Sequence, residues 1–201
     1  VDGRLFCGAL DETFYALDAK NGGQIWTYAA SEVETTALGQ PAPAYANGIV
    51  IAGFGGGAPV AFRAETGEVV WSDMLGDVNS QASTLNLSCV RGLPVIVDSV
   101  VYAVSMAQVL VAVDIRTGRR LWESAIASQN SILCVGDWLY VLSLDEQLIC
   151  IDRLSGHVRW ITQLRRFRRV EVSKDIISWI GPVIDRKSTR LTPVTLIYLV
   201  C

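Results

Sequence analysis

The sequence has a single histidine, His157, and no two cysteines at the spacing of a metal site. Zinc sites and Ser/His/Asp centres both depend on clustered ligands or a histidine near its nucleophile, so neither class is supported. The net charge is −3, which does not favour electrostatic binding of nucleic acid. No apolar run reaches the roughly 18 residues of a membrane-spanning helix. We expect His157 to be solvated and the five cysteines, which are 7, 89, 134, 150 and 201, to be small buried residues.

What the sequence does contain is one short phrase, repeated four times, that ends in tryptophan. Each copy has the form Ala/Cys-x-Asp-x-x-Asn/Thr/Ser-Gly-x-x-x-Trp, with Arg63 in place of Asp in the second copy. The closing tryptophans, at 26, 71, 122 and 160, are 45, 51 and 38 residues apart. A period of that size, made of β-branched runs and tight turns, predicts an all-β protein, a β-propeller of four-stranded blades.

Each recurring position of the phrase has a predicted structural role. The Asp accepts hydrogen bonds from the turn that follows it, and the Gly supplies a positive φ at no steric cost. We expect the Trp to pack over the small residue that starts the phrase, against the next blade, rather than to stack on a ligand. The predicted structural residues are Asp18, Gly22, Trp26, Gly67, Trp71, Asp114, Gly118, Trp122, Asp152, Gly156 and Trp160.

The repeat divides the chain into a partial propeller and a tail. Residues 1–184 hold about four blades, which close at the four tryptophans, and the first blade lacks its opening strand. Residues 177–184 are interpreted as the opening strand of a fifth blade. Residues 185–201 carry no blade pattern, and we interpret this tail as foreign or misread sequence. We therefore expect about half of an eight-bladed ring.

The phrase from Ala112 to Trp122 resembles the pyrroloquinoline-quinone-type propeller repeat, and longer strings resemble one family within it. The segments 36–48, 90–95, 158–164 and 179–183 are similar to BamB, the outer-membrane assembly lipoproteins. The resemblance covers residues 3–184. It implies a periplasmic scaffold without cofactor, metal or catalytic residues, which is tethered to the outer membrane only by a lipid outside this segment.

The same resemblance implies a partner and a docking surface. The partner is the barrel-inserting protein of the outer-membrane assembly machinery, with no role for nucleic acid. The docking loops of the family lead into innermost strands, which places them here at 35–40 and 89–93. The partner-binding residues expected there are Leu38, Gly39, Val90 and Arg91. The first loop lacks the basic residue of the family pattern, and Cys89 stands where an acid is expected.

Two other functions share the repeat. A quinoprotein dehydrogenase would need a calcium held by oxygen ligands, a carboxylate base and platforms around the quinone. The sequence has no adjacent cysteine pair, and its carboxylates lie mostly at repeat turns, where a structural role explains them. An extracytoplasmic sensor or adaptor would use the propeller as a binding face without chemistry.

Overall fold

The computed structural model describes residues 2–30, 42–54, 59–72, 92–169 and 174–183. The described residues form antiparallel sheets and no helix, so none of them builds a helix long and apolar enough to span a bilayer. The strands are β1 Arg4–Gly8, β2 Thr13–Asp18, β3 Gln24–Ala29, β4 Ala44–Ala46, β5 Ile49–Gly53, β6 Pro59–Arg63, β7 Val69–Ser72, β8 Val95–Val97, β9 Val100–Val104, β10 Leu110–Asp114, β11 Arg120–Ser124, β12 Leu133–Val135, β13 Trp138–Leu142, β14 Gln147–Asp152, β15 Val158–Gln163, β16 Phe167–Arg169 and β17 Lys174–Ile176.

The propeller prediction is confirmed by the sheet topology. Blade one is the three-stranded sheet β1-β2-β3, and blades two, three and four are the four-stranded sheets β4–β7, β8–β11 and β12–β15, each in sequential order. Each of the four repeats forms one sheet, and the first has three strands rather than four, as the sequence predicts. Sequential antiparallel order follows from the tight turns, because two-residue hairpins can join only adjacent antiparallel strands.

The start of the fifth blade differs from the prediction. Its region holds the two-stranded sheet β16-β17, and the described residues 177–183 form no strand, although 177–184 was expected to be one. These residues form no strand because no described strand makes backbone hydrogen bonds with them, and Pro182 has no N–H to donate. Residues 184–201, including the predicted tail, lie outside the described residues.

The hydrophobic core lies between consecutive blades. One cluster joins Phe14 of blade one to Phe62 of blade two, another joins Ile51 of blade two to Val113 of blade three, and a third joins blade three to blade four. Each sheet therefore buries a face against its neighbour, which is how stacked repeats gain stability that a single repeat lacks.

The strand directions give every blade two distinct ends. The hairpin between the first two strands of a blade and the turn of the Trp phrase lie at one end, which we call the turn end. The segments that join one blade to the next lie at the other end, which we call the connection end. At the turn end the hairpins contain paired positive-φ residues, such as Asn47 at 51° and Gly48 at 77°, which suit the twist of the strands.

Candidate functional site: inter-blade contacts and the connection end

The aspartate of the Trp phrase is bound by its own turn. Asp114 Oδ1 accepts hydrogen bonds from the backbone N–H of Arg116 at 3.0 Å, from that of Thr117 at 2.9 Å and from the Thr117 hydroxyl at 2.9 Å. Asp152 makes the same set with Leu154 and Ser155. These bonds, chiefly those from Thr117 and Ser155, lower the pKa of both carboxyls. The charges of Asp114 and Asp152 therefore stabilise turns.

We expect Thr117→Val to raise the pKa of Asp114 toward its ordinary value, because the carboxylate loses the hydroxyl donor. A depressed pKa stabilises the fold above the pKa of the unfolded chain, and this stabilisation is lost as the pH falls through the folded value. The variant should thus lose more stability relative to the parent at neutral pH than below the folded pKa, where only the hydrogen bond from the Arg119 N–H to the Thr117 hydroxyl is missed. Carboxyl chemical shifts measured against pH test the shift.

Thr66→Val is the matched control for this titration. Thr66 occupies the same place in the turn of blade two, where Arg63 replaces the aspartate. Loss of this hydroxyl should leave the Asp114 titration unchanged. An unshifted Asp114 in Thr117→Val would show that the backbone bonds alone set its pKa.

The glycine of each turn receives the tryptophan of the preceding blade. Gly67, Gly118 and Gly156 have φ values of 76°, 71° and 74°. A Cβ on any of the three would lie 2.6 Å from an indole carbon, of Trp26, Trp71 and Trp122 respectively. Glycine is thus required twice, for its positive φ and for the space that the indole occupies.

Each of these indoles also donates a hydrogen bond across the blade boundary. Trp26 Nε1 donates to the Ala64 carbonyl at 3.1 Å, Trp71 Nε1 to Ile115 at 2.7 Å and Trp122 Nε1 to Arg153 at 2.9 Å. The acceptor is always the residue that follows the Asp or Arg63 of the next phrase. One geometry therefore repeats at three boundaries, and the tryptophans act there as inter-blade packing residues.

Opposite each tryptophan on the neighbouring strand lies the small residue that starts the phrase. The pairs are Ala16 with Trp26, Ala61 with Trp71, Ala112 with Trp122 and Cys150 with Trp160. A bulge follows the small residue in every pair. A β-bulge changes the direction of the side chains beside it, so the bulge helps to point the indole toward the next blade.

Three of the five cysteines and the histidine are among the described residues. Cys150 is 2% exposed beneath Trp160, and burial raises the pKa of its thiol. Cys7 was expected to be buried but is exposed, because no described strand pairs with the other edge of β1. His157 is exposed, as predicted. Cys134 is half-buried, while Cys89 and Cys201 lie outside the described residues.

A polar cleft of about 630 Å³ opens at the turn end of blades one to three. Its lining carries both charges, from Arg4, Arg63 and Arg116 and from Asp2 and Glu65. Within the described ranges no three Asp, Glu, Cys or His side chains lie close enough to hold a metal ion.

The four predicted partner-binding residues, Leu38, Gly39, Val90 and Arg91, lie outside the described residues. The strands that flank them are described. Leu38 and Gly39 lie between β3, which ends at Ala29, and β4, whereas Val90 and Arg91 lie between β7, which ends at Ser72, and β8. Both pairs thus belong to segments that join an outermost strand to the next innermost strand.

The corresponding segment between blades three and four is described and shows how such a connection is built. Ile126 and Ile132 are buried, and Ser128 donates to the Leu142 carbonyl at 2.7 Å. Between them Gln129 is exposed. Gly92, directly after Arg91, packs so closely on Asn130 that a Cβ there would lie 2.3 Å from the Asn130 carbonyl oxygen. Consecutive connections therefore touch each other at this end.

Known proteins resemble this chain in sequence and in fold. The sequence profile of the family described as outer membrane protein assembly factor BamB matches residues 1–162. The chain belongs to the BamB family. It is 28% identical to BamB of Yersinia pestis over 159 residues, which are 79% of this chain and 40% of that relative. It is 29% identical to BamB of Salmonella typhimurium over 122 residues, 61% of this chain and 31% of the relative.

Solved structures share the propeller fold. BamB from Moraxella catarrhalis matches with a TM-score of 0.72 and 24% identity over 80% of this chain and 49% of that one. A quinohemoprotein alcohol dehydrogenase from Comamonas testosteroni matches with a TM-score of 0.69 and 18% identity, over 81% and 34% of the two chains. Both likenesses concern the fold alone. The chain thus spans less than half the length of the BamB proteins it matches.

Proposed function

We propose that the chain is part of a non-catalytic scaffold at the periplasmic face of the outer membrane, which assists the assembly of β-barrel proteins. The observation that carries the proposal is membership of the BamB family over residues 1–162. The repeated inter-blade contact supports it, since it makes the blades a firm support for loops. We place the membrane tether in a lipid outside this segment.

The docking surface that we propose lies at the connection end, in the segments that enter blades two and three. Arg91 stands four residues before β8, as exposed Gln129 stands four residues before β12. By this equivalence Arg91 offers its charge to a partner. Leu38 and Val90 would supply apolar contact, and Gly39 would let the partner approach the backbone. The partner proposed is the barrel-inserting protein of the assembly machinery.

Substitution of Arg91 by glutamate should weaken binding of the periplasmic domains of that partner by at least about tenfold, because repulsion replaces attraction at one point of the interface. Leu38→Ala should weaken it through lost apolar contact. Titration of the purified partner domains onto the immobilised chain measures both effects.

Arg116→Glu is the matched control for this titration. Arg116 is an exposed arginine of the turn end, opposite to the proposed surface, and the substitution makes the same change of charge. Equal losses for Arg91→Glu and Arg116→Glu would reflect net charge alone. Undiminished binding in both Arg91→Glu and Leu38→Ala would contradict the docking surface.

The shared fold favours the dehydrogenase alternative. The carboxylates argue against it, because Asp18, Asp114 and Asp152 each accept backbone hydrogen bonds within their own turns. We therefore propose no enzymatic role. A sensor or adaptor would use the same loops with another partner, and the titration with the assembly protein separates it from the scaffold.

A further inference from the structure

The turn of blade two, which is residues 63–67, differs from the other three turns in its first residue. Arg63 stands where the other three blades have an aspartate. The backbone of the turn is nevertheless the same, because the Gly67 N–H donates to the Arg63 carbonyl at 2.9 Å, as the Gly118 N–H donates to the Asp114 carbonyl at 2.9 Å. Blade two therefore keeps the shape of the turn and lacks its carboxylate.

Three hydrogen-bond donors of this turn lack the acceptor that their counterparts have. In blade three Asp114 Oδ1 accepts from the N–H groups of Arg116 and Thr117 and from the Thr117 hydroxyl. The corresponding donors in blade two are the N–H groups of Glu65 and Thr66 and the Thr66 hydroxyl. Within the described part of the chain, no group accepts a hydrogen bond from any of these three. Successive backbone N–H groups that converge in this way form a binding place for an anion.

The substitution also replaces a negative charge by a positive one beside these donors. Arg63 Nε lies 3.1 Å from Glu68 Oε2, in a pair whose side chains are 64% and 69% exposed. An exposed ion pair of this kind is weak, and a guanidinium has five N–H donors, so Arg63 can bind a second carboxylate. Arg116 of blade three lines the same cleft and adds a further positive charge.

These groups line the polar cleft of about 630 Å³ at the turn end, a volume typical of ligand sites. Three arginines and two carboxylates line it, whereas the whole chain has a net charge of −3. Asp2, one of the two carboxylates, already accepts a hydrogen bond from the Tyr45 hydroxyl at 3.0 Å. Trp26 of blade one packs on Gly67, and Arg116 belongs to blade three, so the turn of blade two has a described blade on each side.

We propose that this cleft binds a carboxylate group of a ligand, at the place that an aspartate occupies in the other blades. One carboxylate oxygen accepts the three donors of Glu65 and Thr66, and Arg63 pairs with the other oxygen. The other turns indicate a carboxylate, because there one aspartate oxygen accepts this same set of donors in blades three and four. The site is additional to the docking surface and lies at the opposite end of the blades.

Amide chemical shifts of the 201-residue chain test the site directly, in titrations with succinate and with hexaglutamate at constant ionic strength. The N–H signals of Glu65 and Thr66 should move downfield as the carboxylate binds. Those of Leu154 and Ser155 should not move, because Asp152 already accepts their hydrogen bonds. A response to hexaglutamate alone would identify an acidic peptide as the source of the carboxylate, and an equal response to succinate would show that a small dicarboxylate is sufficient.

Arg63→Asp gives the turn of blade two a carboxylate of its own. The variant should lose binding of both probes, because its own side chain occupies the place of the ligand. It should also unfold at a higher urea concentration than the parent, since the turn donors regain an internal acceptor. A damaged fold would lose binding together with stability, so the two measurements distinguish a filled site from a disrupted one.

Thr66→Val removes one of the three donors and should weaken binding by about tenfold. Thr117→Val is its matched control. Both variants lose a hydroxyl at the same place of the turn, and both lose the hydrogen bond that this hydroxyl accepts from the N–H two residues later. Because Asp114 already occupies the turn of blade three, Thr117→Val should bind the probes as the parent does.

Three results would overturn the proposal: neither probe shifts the Glu65 and Thr66 signals, Arg63→Asp binds as well as the parent, or Thr66→Val and Thr117→Val weaken binding equally. Arg91→Glu should leave this titration unchanged, because the docking surface proposed above is at the connection end. Failure of the carboxylate site and failure of the docking surface are therefore distinguishable.

Discussion

Replacement of Trp71 by alanine is expected to lower the free energy of unfolding by about 3–5 kcal/mol, the usual cost of removing a buried tryptophan. Trp71 is 8% exposed and lies in the cluster that joins blades two and three, with Ile51, Val101 and Val113. It donates to Ile115 at 2.7 Å and fills the space above Gly118. Alanine would leave a cavity at the boundary and an unpaired Ile115 carbonyl. Urea unfolding measures the loss.

The loss should appear as weaker coupling between blades as well as lower stability. In repeat folds the stability is nearly a sum of repeat terms and neighbour terms, and Trp71→Ala removes part of one neighbour term. The unfolding transition should therefore broaden. Val69→Ala, on the same strand at a 42% exposed position, should stay within about 0.5 kcal/mol of the parent. Similar losses for both variants would contradict an inter-blade role for Trp71.

The strands could be predicted from the sequence because their signals are local. Alternating apolar residues, hairpin turns such as Asn47-Gly48 and the Thr-Gly pairs of the phrase each act within a few residues. The opening strand of blade five could not be predicted in this way. Residues 177–183 have strand composition, but a strand also needs a neighbour to pair with, and no local pattern reports one.

The inter-blade contacts were predicted in outline only. The pattern indicates that the Trp packs against the next blade. It does not indicate the hydrogen-bond acceptor of Trp71, because Ile115 lies 44 residues away. Ile115 accepts through its backbone carbonyl, which any residue type supplies. The glycine was predicted for its φ. Its second task, making room for the indole of the preceding blade, leaves no local pattern, because Gly67, Gly118 and Gly156 lie 41, 47 and 34 residues after the tryptophans they receive. Cys7 was misplaced because its strand is apolar, while its exposure depends on whether another strand pairs with β1, and none of the described strands does.

The predicted docking residues show a different limit of prediction from sequence. Leu38, Gly39, Val90 and Arg91 come from resemblance to a family, and nothing in their local pattern separates a binding loop from a solvated one. The described connection between blades three and four adds a physical argument, since it exposes Gln129 between buried anchors. We propose Arg91 as a partner-binding residue because of its position within such a connection, and not because of its residue type.

Replacement of Phe62 by alanine is the other change with a large expected effect, about 3–5 kcal/mol of unfolding free energy. Phe62 is fully buried between blades one and two. Its ring lies 4.8 Å from that of Tyr28, 5.5 Å from Phe14 and 5.8 Å from Trp26, measured between centroids. Aromatic pairs at these distances add about 0.5–1.5 kcal/mol beyond their burial. Near-ultraviolet circular dichroism should report the loosened rings.

The smaller substitution Phe62→Val separates ring contacts from burial. Blade three has Val113 at this place, 1% exposed, so valine suits the strand itself. A loss for Phe62→Val close to that for Phe62→Ala would show that the boundary between blades one and two depends on the rings around Phe62. A nearly neutral Phe62→Val would contradict this, because it would mean that the neighbouring rings close the gap and that any apolar residue serves. We expect the first result, since four rings meet Phe62 at fixed angles and cannot all move inward together.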